Sequence, residues 1–125
     1  MDVIIDADCG NAPKKLQVRD WLVAVASADT EAAGSLLTDD VVCDLASGDA
    51  VTGRAGVLDA LGGRPARELV VSNLLSHGKH VAAEGRITRE GAQPERFACF
   101  LTYTGHGKAA LVGNIVWFDV AGRAG

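Results

Sequence analysis

The stretch 68–120, ELVVSNLLSHGKHVAAEGRITREGAQPERFACFLTYTGHGKAALVGNIVWFDV, decides the fold. It shows no helical period. Three turn clusters divide it: His77-Gly78-Lys79, residues 90–94, and Gly105-His106-Gly107-Lys108. Short glycine-bearing junctions of this kind join neighbouring antiparallel strands. Four long strands are expected, at about 68–76, 80–89, 95–104 and 109–120, and consecutive hairpins make them a meander. In the second strand Val81, Ala83, Gly85 and Ile87 alternate with His80, Glu84, Arg86 and Thr88, which gives one apolar face and one wet face. The fourth is apolar on both faces, with Leu111, Ile115 and Trp117 set against Val112, Val116 and Phe118. It therefore needs cover on both sides, and a core on one side with a dimer partner on the other would supply it.

Upstream of the meander the period changes. From Pro13, the residues Val18, Trp21, Leu22 and Val25 recur at spacings of three and four, the signature of one helix face. Asn11 is placed to cap this helix, and proline is tolerated in its first turn. Asp29-Thr30-Glu31 offers a second N-cap leading into residues 32–37. Thr38-Asp39-Asp40 breaks the helical pattern, with the two acids capping or ending the second helix. A short strand at 41–45 then returns through Ser47-Gly48-Asp49 to Ala50-Val51-Thr52. A third helix is expected over 53–61, stopped by Gly62-Gly63-Arg64-Pro65. Helices first and a long antiparallel sheet after them define an α+β domain with the helices gathered on one face. The chain divides into an acidic, flexible lead-in at 1–12, one domain at 13–120, and a short frayed tail at 121–125.

With 125 residues, 48% hydrophobic and 22% charged, one core that needs no staple is expected. Twelve basic against sixteen acidic residues give a net charge of −4, and Lys14-Lys15 is the longest basic cluster, which argues against nucleic acid or an anionic membrane as a partner. The first eight residues carry acids where a signal peptide carries lysines. The apolar run 109–118 is far shorter than the roughly 20 residues of a membrane helix. Three cysteines without C-x-x-C spacing read as free thiols in a reducing compartment, so a cytoplasmic location is expected.

Chemistry-bearing patterns are sparse. His77, His80 and His106 belong to turns, and neither they nor Asp2, Asp6, Asp8 and Cys9 have metal-site spacing, so no metal is expected. The Gly105–Lys108 segment lacks the spacing and the following helix of a phosphate loop. Cys99 sits in mid-strand with no histidine partner visible and reads as a small hydrophobe. Among the carboxylates, Asp44 is the one candidate general base, on condition that it points inward; its alternation with Cys43 and Leu45 opposes that.

The order of elements, together with Leu37-Thr-Asp-Asp-Val-Val-Cys-Asp44, Thr52-Gly-Arg-Ala-Gly-Val57, Ala82-Ala-Glu-Gly85 and the Gly105–Lys108 hairpin, resembles the nuclear transport factor 2-like superfamily. Within it, the chain resembles the SnoaL-like group related to ketosteroid isomerase and polyketide cyclases. The resemblance implies a cystatin-like cone, a curved antiparallel sheet wrapped around three N-terminal helices, with an apolar pocket and a homodimer packed sheet to sheet. Laid over this chain, the isomerase pattern puts Leu45 at the position of the general base and Cys99 at that of the neutral acid. Trp21 stands in the helix that should carry a tyrosine. The pocket implied by the overlay is lined by Trp21, Cys43, Leu45, Cys99, Leu101, Tyr103, Val112, Asn114, Val116 and Phe118, with Asn114 and Tyr103 as its polar groups. This set suits a small hydrophobic molecule bound without a cofactor. An isomerase, cyclase or hydratase working through Asp44, and a pocketless dimer or partner-interaction protein, are the alternatives.

Overall fold

A computed structural model describes residues 1–5 and 12–121. Asp6, Asp8, Cys9, Asn11 and the tail beyond 121 lie outside the described residues. The elements follow one another as β1 (Asp2–Ile5), α1 (Pro13–Ala26), α2 (Thr30–Gly34), β2 (Leu37–Leu45), β3 (Ala50–Thr52), α3 (Arg54–Leu61), β4 (Ala66–His77), β5 (His80–Arg89), β6 (Glu95–Tyr103) and β7 (Val112–Ala121). The strands form one curved, unclosed sheet in the order β1-β4-β5-β6-β7-β2-β3. Strands β4 to β7 are the antiparallel meander read from the sequence. Two parallel pairs flank it, β1 with β4 and β2 with β7.

The α1 face Val18, Trp21, Leu22 and Val25 is buried against the concave side of the sheet, as its period predicts. Opposite residues of an antiparallel pair share a face, so Cys99 with Trp117 and Leu101 with Ile115 mark the inner side of β6 and β7. Trp117 is clamped there. Phe97 stacks on it at 5.2 Å and Trp21 meets it edge-on at 6.3 Å. Full burial of side chains of this size contributes roughly 1.5–3 kcal/mol each.

Local chemistry explains where the elements depart from the sequence reading. The N-cap of α1 is Ala12, with no side-chain bond, rather than Asn11. Asp29 does cap α2, its Oδ1 accepting from the Ala32 N–H at 3.1 Å. That helix stops at Gly34, and the strand starts at Leu37, so Thr38, Asp39 and Asp40 are strand residues and not a helix end. Asp39 instead pairs with Arg54 at 2.7 Å, and the same guanidinium donates to the Leu37 carbonyl at 3.0 Å, tying β2 to the start of α3. The lead-in contributes a strand, β1, that its exposed acidic residues did not announce. It is held by backbone pairing from Asp2↔Glu68 to Ile5↔Val71, which needs no particular side chain.

Bulges bend the sheet. The β4–β5 register slips between Ala66 and Glu68 and again between Val71 and Asn73, and such an extra residue locally raises twist and bends its strand. At the second slip the backbone of Val70 presses onto Gly85, and a Cβ at that position would run into the Val70 carbonyl. Gly85 is thus the residue that lets β4 fold over β5. Gly85→Ala is expected to destabilise the domain by about 2 kcal/mol or more, through overpacking against a backbone that cannot yield. Gly105→Ala, where a Cβ meets open space, should stay within about 0.5 kcal/mol. Urea unfolding of the two variants beside the parent checks both, and equal stability of Gly85→Ala and the parent would count against this account of the curvature.

Candidate functional site

The concave interior gathers seven of the ten residues expected to line a pocket. Trp21 comes from α1, Cys43 and Leu45 from β2, Cys99, Leu101 and Tyr103 from β6, and Val112 from β7. They pack on one another. Cys43, Leu101 and Val112 are 0% exposed and Trp21 is 2% exposed, so no void that holds a water molecule touches the first three. Thr88 is the one polar residue buried among the described residues.

The other three, Asn114, Val116 and Phe118, lie on the opposite face of β7. Their cross-strand partners are Thr102, Phe100 and Ala98, none of which shares the side of Leu101. The cause is a one-residue bulge at Gly113. Tyr103 pairs with Val112, yet Thr102 pairs with Asn114, and the extra residue reverses the parity of everything beyond it. Val112 therefore faces inward together with Ile115 and Trp117. Asp44 is likewise exposed on the outer side, paired with Val116 on β7 and Ala50 on β3. As a base for anything held inside the cone it faces the wrong way.

Interior groups capable of proton transfer are held neutral. Burial pushes the Cys43 thiol up to about 11, with the Asp44 charge adding to the effect. Burial pushes Cys99 up to about 12 against a hydrogen bond from the Ala83 backbone, and it does the same to the Tyr103 phenol. The Tyr103 hydroxyl is used structurally, donating to Gln17 Oε1 at 2.7 Å.

Where the interior meets solvent, two clefts of about 420 Å³ each run along α1. One lies over Pro13, Lys14, Ser76, Gly78 and His106; the other is lined by Trp21, Ser35, Leu36, Ala110 and Leu111. Gln17 and Lys108 border both, so the two adjoin as neighbouring parts of a groove along α1. The indole N–H of Trp21 is buried without a hydrogen-bond partner, and among the described residues only Thr38 Oγ1 shares that condition. A buried donor left unpaired costs about 1–3 kcal/mol. Of this groove the sequence reading found Trp21 alone. Gln17, Lys14 and Lys108 were missed because they come from a helix and a loop 90 residues apart; the sequence signals were the Lys14-Lys15 pair and the Gly105–Lys108 turn, read singly.

A wider cleft of about 840 Å³ separates the α1–α2 corner from α3, floored by Ala24, Val25, Ala33 and Leu58. Of its charged rim groups Asp29 caps α2 and Arg54 holds Asp39, while Glu31 and Asp59 are exposed. Among the described residues no buried, unpartnered polar side chain lines this cleft, in contrast to the Trp21 groove. Among the described residues no three His, Cys, Asp or Glu side chains converge as a metal site, and no helix is long and apolar enough to cross a membrane.

A curved, unclosed sheet with three helices against its concave side defines an α+β protein of the nuclear transport factor 2-like and cystatin-fold class. The SnoaL-like domain family matches residues 18–122, and the chain belongs to that family. An NTF-2 like protein of unknown function from Burkholderia xenovorans LB400 superposes with a TM-score of 0.73 at 17% identity, over 93% of this chain and 91% of that one. A protein provisionally assigned as a ketosteroid isomerase, from Kribbella flavida DSM 17836, gives 0.71 at 22% identity over 90% and 82%. A provisionally assigned SnoaL-like polyketide cyclase from Shewanella denitrificans OS-217 gives 0.69 at 10% identity over 87% and 92%. No protein of curated function matches the sequence.

The raised thiols make a pH prediction. Their folded values, about 11 and about 12, exceed the ordinary 9.0, so the unfolded chain releases protons that the folded chain retains. Their contribution to stability is complete below pH 9 and is lost as pH rises through the folded values. At pH 8 Cys43 and Cys99 should resist a disulfide reagent in the folded protein and react promptly in guanidinium, as followed by peptide mass spectrometry. Rapid labelling of either while folded would contradict the burial assigned to them.

Proposed function

We propose that this SnoaL-like domain is a cofactor-free, homodimeric binding protein for a small, mostly apolar molecule seated in the groove beside Trp21. The observation that carries the reading is the buried, unpartnered indole N–H of Trp21 beside an apolar lining of Leu36, Ala110 and Leu111. Because the donor is buried, one acceptor atom on a ligand would satisfy it on a small shift of the side chains that cover the indole, and apolar contact would supply most of the affinity. Binding is favoured over acid–base chemistry because no buried carboxylate, histidine or lysine occurs among the described residues, and both thiols and the phenol are held protonated. Asp44, the carboxylate on which an isomerase, cyclase or hydratase reading rests, lies on the far side of the sheet. A cytoplasmic setting agrees with the two free, buried thiols.

The dimer has its own support. The outer face of β6 and β7 displays Phe100 and Phe118 at 54% and 45% exposure, with Val116 and Ala98 as their cross-strand neighbours. An apolar face of this kind is unfavourable in water and fits a second copy of itself across a two-fold axis. That half of the reading also gives meaning to the doubly apolar pattern of the last strand.

Two measurements test the proposal. The parent should elute as a dimer in light-scattering chromatography and Phe100→Glu/Phe118→Glu as a folded monomer; a monomeric parent would overturn the dimer. In a nitrogen-15 NMR titration with 1-decanol, the Trp21 indole N–H peak, identified by its absence in Trp21→Phe, should shift while that of Trp117 shifts far less. A Trp21 peak that stays in place at saturating decanol would remove the binding reading.

A further inference from the structure

All four lysines of the chain, 14, 15, 79 and 108, and all three histidines, 77, 80 and 106, lie on three short segments. These are the first turn of α1, the β4–β5 turn and the β6–β7 loop; of the seven, Lys14, His106 and Lys108 line the groove, while His80 bonds Thr102 on the outer face of the sheet. Lys14 Nζ donates to the His106 carbonyl at 3.1 Å and sits 5.1 Å from the centre of the Tyr103 ring. A Cβ on Gly78 would lie 3.5 Å from His106 Cε1, and the Tyr103 N–H donates to the Lys79 carbonyl at 2.8 Å. The arginines lie on other segments, so this end is distinguished by its ammonium and imidazole groups.

From this placement we infer that the groove's ligand carries an anionic headgroup, a carboxylate or a phosphate ester, held between Lys14 and Lys108, with its apolar body lying toward Trp21. The inference rests on the binding role proposed for the groove and adds the class of molecule. An ammonium has three donors, and the bond to His106 occupies one of those on Lys14. The start of α1 contributes in the same sense: this 14-residue helix has no side-chain cap and no acid in its first turn, so among the described residues no cap or first-turn acid offsets the positive end of its dipole. The one acid among the described residues that line the groove is Asp20, at the Trp21 end, and it is paired with Arg19 at 3.0 Å. Gln17 and Lys108 border both clefts, so a single extended molecule can span from the basic end to Leu36 and Leu111.

Decanoate, decyl phosphate and 1-decanol share one apolar body and differ in the headgroup, and the Trp21 indole peak reads the affinity of each. One or both anions should bind about tenfold more tightly than the alcohol, the equivalent of about one good charge-assisted bond. In Lys14→Gln/Lys108→Gln the anions should fall to the alcohol's level while the alcohol is unaffected. Which anion gains more separates carboxylate from phosphate recognition. Equal affinity for all three in the parent would overturn the anionic headgroup and leave the binding groove standing. A variant that loses decanol as much as the anions would overturn it too, by giving the lysines a structural role. Binding of none of the three would overturn both. If the double variant does not fold, Lys108→Gln alone, in an exposed turn, should retain the selective loss, and an unchanged preference for anions there would overturn the role of Lys108.

Discussion

The domain depends on the seating of α1 in the curve of the sheet, and the aromatic contact of Trp21 with Trp117 and Phe97 fixes that seating. A flat sheet offers a helix one line of contact. The curved sheet offers a trough, and the large rings of Trp21 and Trp117 span the distance that Val and Leu side chains leave between helix and strand. The curvature is in turn set by bulges in β4 and β7 and by the bare backbone of Gly85, which accepts the carbonyl of Val70 where any side chain would collide. Helix position, sheet curvature and glycine placement are one constraint seen at three scales.

That constraint also explains which parts of the molecule could be read from sequence. Long elements with a clear period, α1 and the four meander strands, were legible because a repeating pattern over ten residues outweighs any single exception. Pairing partners set by backbone alone were not. The β-branched run Val3-Ile4-Ile5 is too short to distinguish a strand docked on β4 from a loose acidic lead-in, and Thr38-Asp39-Asp40 is poor strand sequence in the irregular stretch between the Leu37↔Val112 and Val42↔Asn114 pairs, held by the Arg54 bonds to Asp39 and Leu37. The site suffered most from one residue. An uninterrupted alternation from Val112 places Asn114, Val116 and Phe118 inside, and the bulge at Gly113 turns all three out. Alternation is an exact two-residue rule, so one unseen insertion falsifies every facing assignment downstream while leaving the strand itself intact.

The same bulge sorts the chemistry of the protein. By turning Asn114 outward it leaves buried polar groups that include the Trp21 indole N–H, the Tyr103 phenol, two thiols and the Thr38 and Thr88 hydroxyls, none of them charged at neutral pH. An interior of this kind sets no fixed charge against a developing one, and what it offers is neutral groups such as the Trp21 indole N–H. Charge is instead confined to the rim, where Lys14, Lys108 and the histidine-bearing turns are solvated. A solvated rim can attract and orient a molecule without desolvating its own ions, which is the less costly arrangement for binding.

Turning Val116 and Phe118 out also loads the far face of the sheet with apolar surface, next to Phe100. A strand apolar on both sides is stable in a single domain only if something covers the second side, so the parity change that closes the interior creates the demand for a partner outside. Inner packing and the proposed outer association are thus coupled through the backbone of β7. Strict alternation through a retained Gly113, without the bulge, would bring Asn114 into the core and send Ile115 and Trp117 to the surface, trading the Trp21 contact for a buried amide. The loss of that aromatic contact on the inner side would unseat α1 before any change at the outer face mattered, which is why the bulge belongs to the fold first and to the proposed dimer second.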